Sequence, residues 1–253
     1  MNYFYVDEPP VGVKFLVAGL PDMGNVAGIA VEHLIKTLGM HPFAVLRGSW
    51  PPYVMHEKSR IVYRRSQFKF YKTPLPSLFT VFSGEYQPYE PQALYELTES
   101  VAEFAKRLAV EKLVTVGAAH RGAASQGRVF YAATEEEMAA LAEQAGAVAL
   151  EDSGYVTGFN GLLLGVGKEL GMAGVCLLGE IDNPEIPQPS ASKNVLRVVA
   201  KLVGIEDLDT STLDEAAEKI RAQLLFAEEQ ARLRRQFLFR SNKCSQCSTH
   251  KWQ

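Results

Sequence analysis

Hydrophobic positions along the chain fall into two textures. Short apolar runs at Val13 to Ala18, Phe43 to Leu46, Leu78 to Phe82, Leu113 to Val116 and Ala173 to Leu178 are too short for helices and read as buried strands. Between them the period changes. From Asn25 to Leu38, residues Val26, Ile29, Ala30, His33, Leu34 and Leu38 recur at helical spacing, and Gly39 closes the helix. Pro91 to Leu108 carries the same stripe through Leu94, Leu97, Val101, Phe104 and Ala105. Thr134 followed by Glu137 predicts a capped helix start. Asn160 is expected to cap a glycine-rich helix running to Leu170, and Ser190 to Leu202 is a further helix. Val129 to Ala132 and Val148 to Leu150 are short strand candidates. Arg60 to Arg65 and Phe68 to Lys72 mix charged and apolar residues, which predicts two antiparallel strands.

Apolar strands alternating with helices imply an α/β fold whose largely parallel sheet is covered on both faces, and the two mixed-texture strands make that sheet mixed. No repeat or interdomain linker interrupts the pattern. We expect one α/β domain over residues 1–212, a C-terminal helical extension over 213–240, and a mobile polar tail over 241–253.

Composition narrows the functional classes. The chain has 253 residues and a net charge of -3, with 26 Lys plus Arg against 29 Asp plus Glu. That near balance gives no field to attract nucleic acid. No apolar run reaches the ~18 residues of a membrane span. Met1 to Pro10 is acidic and contains proline, unlike a signal peptide. The three cysteines, Cys176, Cys244 and Cys247, do not make a disulfide framework, and a cytoplasmic location is expected.

Ligands of open α/β sheets bind beyond the carboxyl ends of the strands. That rule selects Gly19, Gly24 and Asn25, then Glu85, His120, Arg121, Asn160 and Glu180 as a possible ligand pocket. The turn from Gly19 to Gly28 could hold an anion at a helix N-terminus, but it matches neither strong phosphate fingerprint, and Asp22 would repel one. Its bland reading is a tight turn plus a Gly28 that lets helix and sheet approach. His120 with Glu85 or Glu180 could form an acid–base pair, with Ser125 as a nucleophile; the loop Gly122 to Gly127 is expected to be a flexible lid. No G-x-S-x-G elbow is present, so no catalytic residue is assigned, and no cofactor is expected. Cys244, Cys247 and His250 have zinc-like spacing but supply three ligands where a structural zinc takes four. On the last helix, Leu224, Leu225, Phe226, Leu233 and Phe237-Leu238-Phe239 favour self-association over RNA binding, because Glu228 and Glu229 interrupt the basic residues.

Gly19-Leu-Pro-Asp-Met-Gly-Asn-Val-Ala-Gly28 resembles the opening of the proteasome assembly chaperone family, in a G-x-P-x-x-G-x-x-x-G pattern. Ser49-Trp-Pro-Pro-Tyr53, Tyr131-Ala-Ala-Thr-Glu135, Gly158-Phe-Asn-Gly161 and Gly171 to Glu180 follow in order. The likeness spans roughly residues 10 to 225 and is nearest to the prokaryotic, mainly archaeal version. It implies a three-layer α/β/α fold similar to nucleoside phosphorylases, without a catalytic centre. It also implies homo-oligomers and binding to proteasome core α-subunits or a related protein. Some members dock through a C-terminal hydrophobic–Tyr–any tripeptide; here the corresponding residues are Lys251, Trp252 and Gln253, which depart from it. The competing reading is a small-molecule enzyme of the nucleoside phosphorylase/hydrolase type, which requires Glu85, His120 and Glu180 to meet in one pocket.

Overall fold

The computed structural model describes residues 2–48, 54–63, 67–122, 125–151 and 153–247. It divides into two units, residues 1–210 and 211–253. In the first unit the strands are β1 (Asn2–Tyr5), β2 (Phe15–Gly19), β3 (His41–Arg47), β4 (Met55–Glu57), β5 (Arg60–Val62), β6 (Gln67–Lys72), β7 (Phe79–Gly84), β8 (Lys112–His120), β9 (Val129–Ala133), β10 (Val148–Ala149) and β11 (Ala173–Ile181). The helices are α1 (Val26–Thr37), α2 (Pro91–Arg107), α3 (Glu136–Ala145), α4 (Gly158–Glu169) and α5 (Pro189–Val203).

Among the described residues, nine strands form one sheet in the order β1-β3-β6-β7-β2-β8-β11-β9-β10. Strands β7, β2, β8 and β11 run parallel at its centre, while β1, β3, β6 and β7 are joined antiparallel. This is the mixed, largely parallel α/β sheet that the hydrophobic runs predict. Side-chain alternation sends successive residues to opposite faces. Gly179 faces α5, where a Cβ would lie 2.9 Å from Val195, whereas Gly174 faces α4, where a Cβ would lie 2.5 Å from Leu164. Helices α1, α3 and α5 thus form one layer, and α2 and α4 the other.

The main core lies under α2 and α4. Phe43, Phe68, Phe70, Phe82, Phe104 and Phe159 are all essentially inaccessible, with Phe70 and Phe104 centroids 4.4 Å apart. Each such ring contributes ~2–3 kcal/mol by leaving water. In β6 the pattern is strict: Phe68 and Phe70 are buried, while Gln67, Lys69 and Tyr71 on the opposite face are half-exposed.

Several local expectations change. The two mixed-texture strands are both antiparallel, as expected, but they join different sheets. Strand β5 pairs with β4 in a separate two-stranded ribbon, and β6 pairs with β3 and β7, because Phe68 and Phe70 supply the apolar face that the core requires. Arg64, Arg65 and the Ser49 to Tyr53 motif lie outside the described residues. Thr134 does not cap α3. Glu135 occupies that position without a side-chain cap bond, and the Thr134 hydroxyl instead accepts from the Gly174 N–H at 2.8 Å. Asn160 is not a cap either: Thr157 precedes α4, and Asn160 is buried within the helix.

The second unit contains α6 (Ser211–Cys247), 37 residues long. It continues past residue 240 into the stretch read from sequence as tail, since no glycine or proline occurs from 211 to 247 to end it. Among the described residues, no helix is long and apolar enough to cross a membrane.

Candidate functional site at the strand carboxyl ends

The residues selected beyond the strand ends separate into three environments. The first is the turn after β2. Gly19 is tight against α1: a Cβ there would sit 2.9 Å from Val31 Cγ1 and 3.2 Å from Ala27 Cβ. Gly24 has φ +61, and a Cβ would meet Gln188 Cγ at 2.6 Å, so this position demands glycine twice over. Its N–H donates to Pro184 O and its carbonyl accepts from the Gln188 N–H, both at 2.8 Å. The turn is thus a tight one closed by the chain itself, as its bland reading has it. Asp22 Oδ1 accepts from the Ala27 N–H at 2.9 Å, placing the protein's own carboxylate at the start of α1. Gly28 does not serve helix–sheet approach; a Cβ there would collide with the Asn25 side-chain amide.

Burial pushes the Asp22 carboxyl up to about 7, against the opposing effect of backbone N–H groups at Ala27 and Ala118. Asp22 Oδ2 and Asn160 Oδ1 are buried without hydrogen-bond partners among the described residues. They belong to one polar spot under Gly117, where a Cβ would lie 2.5 Å from Asn160 Nδ2 and 3.6 Å from Asp22 Oδ2. Cys176 also lies in this region. Burial pushes its thiol up to about 12, with the nearby Asp22 charge adding to the shift, so it is not a reactive thiolate.

The second environment is the end of β8 and β11. Glu180 is 3% exposed. Its Oε1 accepts from Arg128 Nη2 at 2.7 Å, and its Oε2 from the N–H groups of Gln126 and Arg128 at 2.9 and 3.3 Å. Ser125 Oγ donates to the Glu180 carbonyl at 2.8 Å. Arg128 holds the Glu180 carboxyl at about 2, overcoming the opposing effect of burial. The loop expected to be a free lid is thus tied down over residues 125–128; Ala123 and Ala124 lie outside the described residues. His120 is exposed, with Nε2 3.2 Å from the Asp182 carbonyl. Arg121 places its guanidinium 5.3 Å from the Phe130 ring centre. A carboxylate already accepting three or four hydrogen bonds is a poor proton acceptor. Ser125, with its hydroxyl proton directed to a carbonyl, has no base beside it in these contacts.

The third environment is a groove of about 510 Å³ between α1 and the sheet. Asn25, just before α1, and Glu32 and Lys36 on α1 line it. Lys69 and Tyr71 come from β6, and Ser83 and Glu85 from the end of β7. Glu85 therefore belongs with α1 and β6, not with His120 and Glu180: the acid–base cluster required by the enzyme reading does not assemble. Of the sequence-selected residues, Asn25 and Glu85 reach the groove. Glu32, Lys69, Tyr71 and Ser83 were missed; the signal available was the polar alternation of Gln67, Lys69 and Tyr71 against Phe68 and Phe70. Burial raises the Tyr71 phenol, and the charges of Glu32 and Glu85 raise it further.

Lys251, Trp252, Gln253 and His250 fall outside the described residues. Cys244 and Cys247 are placed only as backbone positions on α6.

Residues 16–226 match the model of the PAC2 family. Protein MJ1210 of Methanocaldococcus jannaschii is 29% identical over 203 residues, covering 79% of this chain and 78% of that protein. Among solved structures, Pyrococcus furiosus PbaB, described as an archaeal proteasome activator, superposes with a TM-score of 0.79 and 27% identity, covering 90% of this chain and 98% of that one. Pyrococcus furiosus PbaA, described as an archaeal homologue of proteasome-assembly chaperone, gives 0.75 at 24% identity, with 96% and 98% covered. The family match extends from β2 through the α/β unit into α6, and on that basis the chain belongs to the PAC2 family.

Proposed function

We propose that this protein is a non-enzymatic, proteasome assembly chaperone-like factor that binds proteasome core α-subunits, or a closely related protein, and does so as a homo-oligomer in the cytoplasm. The observation that carries this reading is the family match over residues 16–226, joined to the likeness to PbaB over nearly the whole of that chain. The strand-end chemistry supports it. Glu180 is consumed in holding a loop, and Cys176 is a protonated core thiol. Exposed surface favours a binding role as well: on α6, Leu225 and Phe226 are 61% and 66% exposed, and apolar side chains clustered on a long helix favour association with another protein surface.

The α/β unit over residues 1–212 supplies the scaffold, the extension over 213–240 the association surface, and the end of the chain with Lys251, Trp252 and Gln253 an additional contact to the partner. Light scattering coupled to size exclusion, on the full chain alone and mixed with free α-subunits, tests the reading. A self-associated species that gains mass with α-subunits is expected. A monomer that elutes unchanged in their presence overturns it. A chain truncated after residue 240 separates the contributions: oligomers persist, and partner binding weakens.

A further inference from the structure

The groove between α1 and β6 has an unusual charge inventory. Glu32 and Lys36 face each other across one helical turn at 2.7 Å and satisfy one another. Two charged groups then remain. Lys69 and Glu85 both line the groove, and neither has a hydrogen-bond or ion-pair partner among the described residues. Lys69 stands on β6, and Glu85 directly follows β7, its antiparallel neighbour. Lys69 is directly opposite Ser83 in register, and Glu85 follows two residues after Ser83, so the positive and negative groups stand diagonally across neighbouring segments. Tyr71 is two residues from Lys69 on the same face of β6. The carboxylates of Glu32 and Glu85 both act on its phenol, so Tyr71 is a neutral donor on the groove floor.

Two charges of opposite sign that line one groove, without a partner among the described residues, complement a ligand that carries one of each. A lone anion would meet Glu85 as well as Lys69, and a lone cation the reverse; either leaves one protein charge repelled. The volume of about 510 Å³ lies within the ~300–1,000 Å³ common for small-molecule sites. Ile35 and Pro21 add apolar wall against which a side chain could rest.

We propose that this groove binds a small zwitterion of the amino-acid type, a free amino acid or a dipeptide, with its ammonium at Glu85 and its carboxylate at Lys69 and the Tyr71 hydroxyl. The site is independent of the α-subunit reading, and its occupancy can be measured without any partner.

Isothermal titration of the full chain with each standard amino acid and with a set of dipeptides tests it, using acetate and methylamine as single-charge controls. At least one zwitterion is expected to bind with Kd below roughly 1 mM, and both controls at least about tenfold more weakly. Glu85→Gln and Lys69→Met should each weaken that binding by about tenfold or more. Lys69 is half-buried and Glu85 exposed, so both substitutions should leave the melting temperature unchanged, which separates loss of binding from loss of fold. Whether free amino acids or only dipeptides bind fixes the length of the ligand. Absence of binding by every zwitterion at roughly 10 mM, equal binding by acetate or methylamine, or full affinity in both variants overturns the proposal.

Discussion

The end of β11 and the groove beside α1 are both polar, both lie near strand carboxyl ends, and both contain a glutamate selected from sequence. They differ in what those glutamates have left to give. Glu180 is buried and surrounded by donors from Gln126 and Arg128. Glu85 faces an open groove with no partner among the described residues. A buried carboxylate that is fully hydrogen-bonded stabilises the native state and resists protonation. An exposed and unpaired one contributes almost nothing to folding and is available to a ligand. Position beyond a strand end therefore does not by itself make a carboxylate available to a ligand; whether its hydrogen-bonding capacity is already used by the chain decides that.

The strongest test of this contrast is Glu180→Ala. It removes the acceptor for four N–H groups, two of them on the Arg128 guanidinium, so we expect a loss of about 3 kcal/mol in urea unfolding. The wild-type contribution from Glu180 has a defined pH window. Its folded-state value of about 2 lies below the ordinary 4.5, so its stabilisation is complete above about pH 4.5 and fades as pH falls toward 2. Unfolding midpoints measured through that range should drop less steeply in Glu180→Gln than in the wild type.

Asp22 provides the opposite sign. Its folded-state value of about 7 lies above 3.8, so the native state binds the extra proton and stability falls as pH rises from about 4 to 7. Asp22→Asn keeps an oxygen to accept from the Ala27 N–H but cannot ionise. Relative to the wild type it should gain on the order of 2 kcal/mol between pH 5 and pH 8, read as a shift in urea midpoint. An identical pH slope in both proteins would place the Asp22 charge in water.

Gly19→Ala is expected to cost about 1 kcal/mol, because the new methyl must displace Val31 by a few tenths of an ångström; thermal melts check this. At the weak end, Lys69→Met should change stability by no more than about 0.5 kcal/mol. A large destabilisation there would mean that the groove lysine belongs to the scaffold after all and would erase the contrast between the two regions.

The legibility of these regions differed for a physical reason. Strands β2, β7, β8 and β11 were visible because parallel strands buried on both faces must be apolar throughout. The helices were visible where a stripe faced the sheet. Strand β1 (Asn2–Tyr5) was missed, since Tyr3 and Tyr5 alternate with Asn2 and Phe4 in a segment too short and too mixed to stand out. The partners of β6 were not legible, because local texture says that a segment is extended but not which neighbour it joins; that is decided by where Phe68 and Phe70 can be buried. Thr134 shows the same limit at single-residue scale. Its hydroxyl could cap α3, yet the Gly174 N–H, 40 residues away, takes it.

The sequence by itself determined the layered α/β architecture, the mixed sheet and a family resemblance that the match over residues 16–226 bears out, because hydrophobic period and glycine placement are local consequences of burial and backbone geometry. Only the tertiary structure decided which polar groups are spent. Arg128 reaches Glu180 across 52 positions, and Lys69 and Glu85 come to share a groove through strand register. Hydrogen-bond satisfaction depends on partners that meet in space, and no spacing along the chain encodes those meetings.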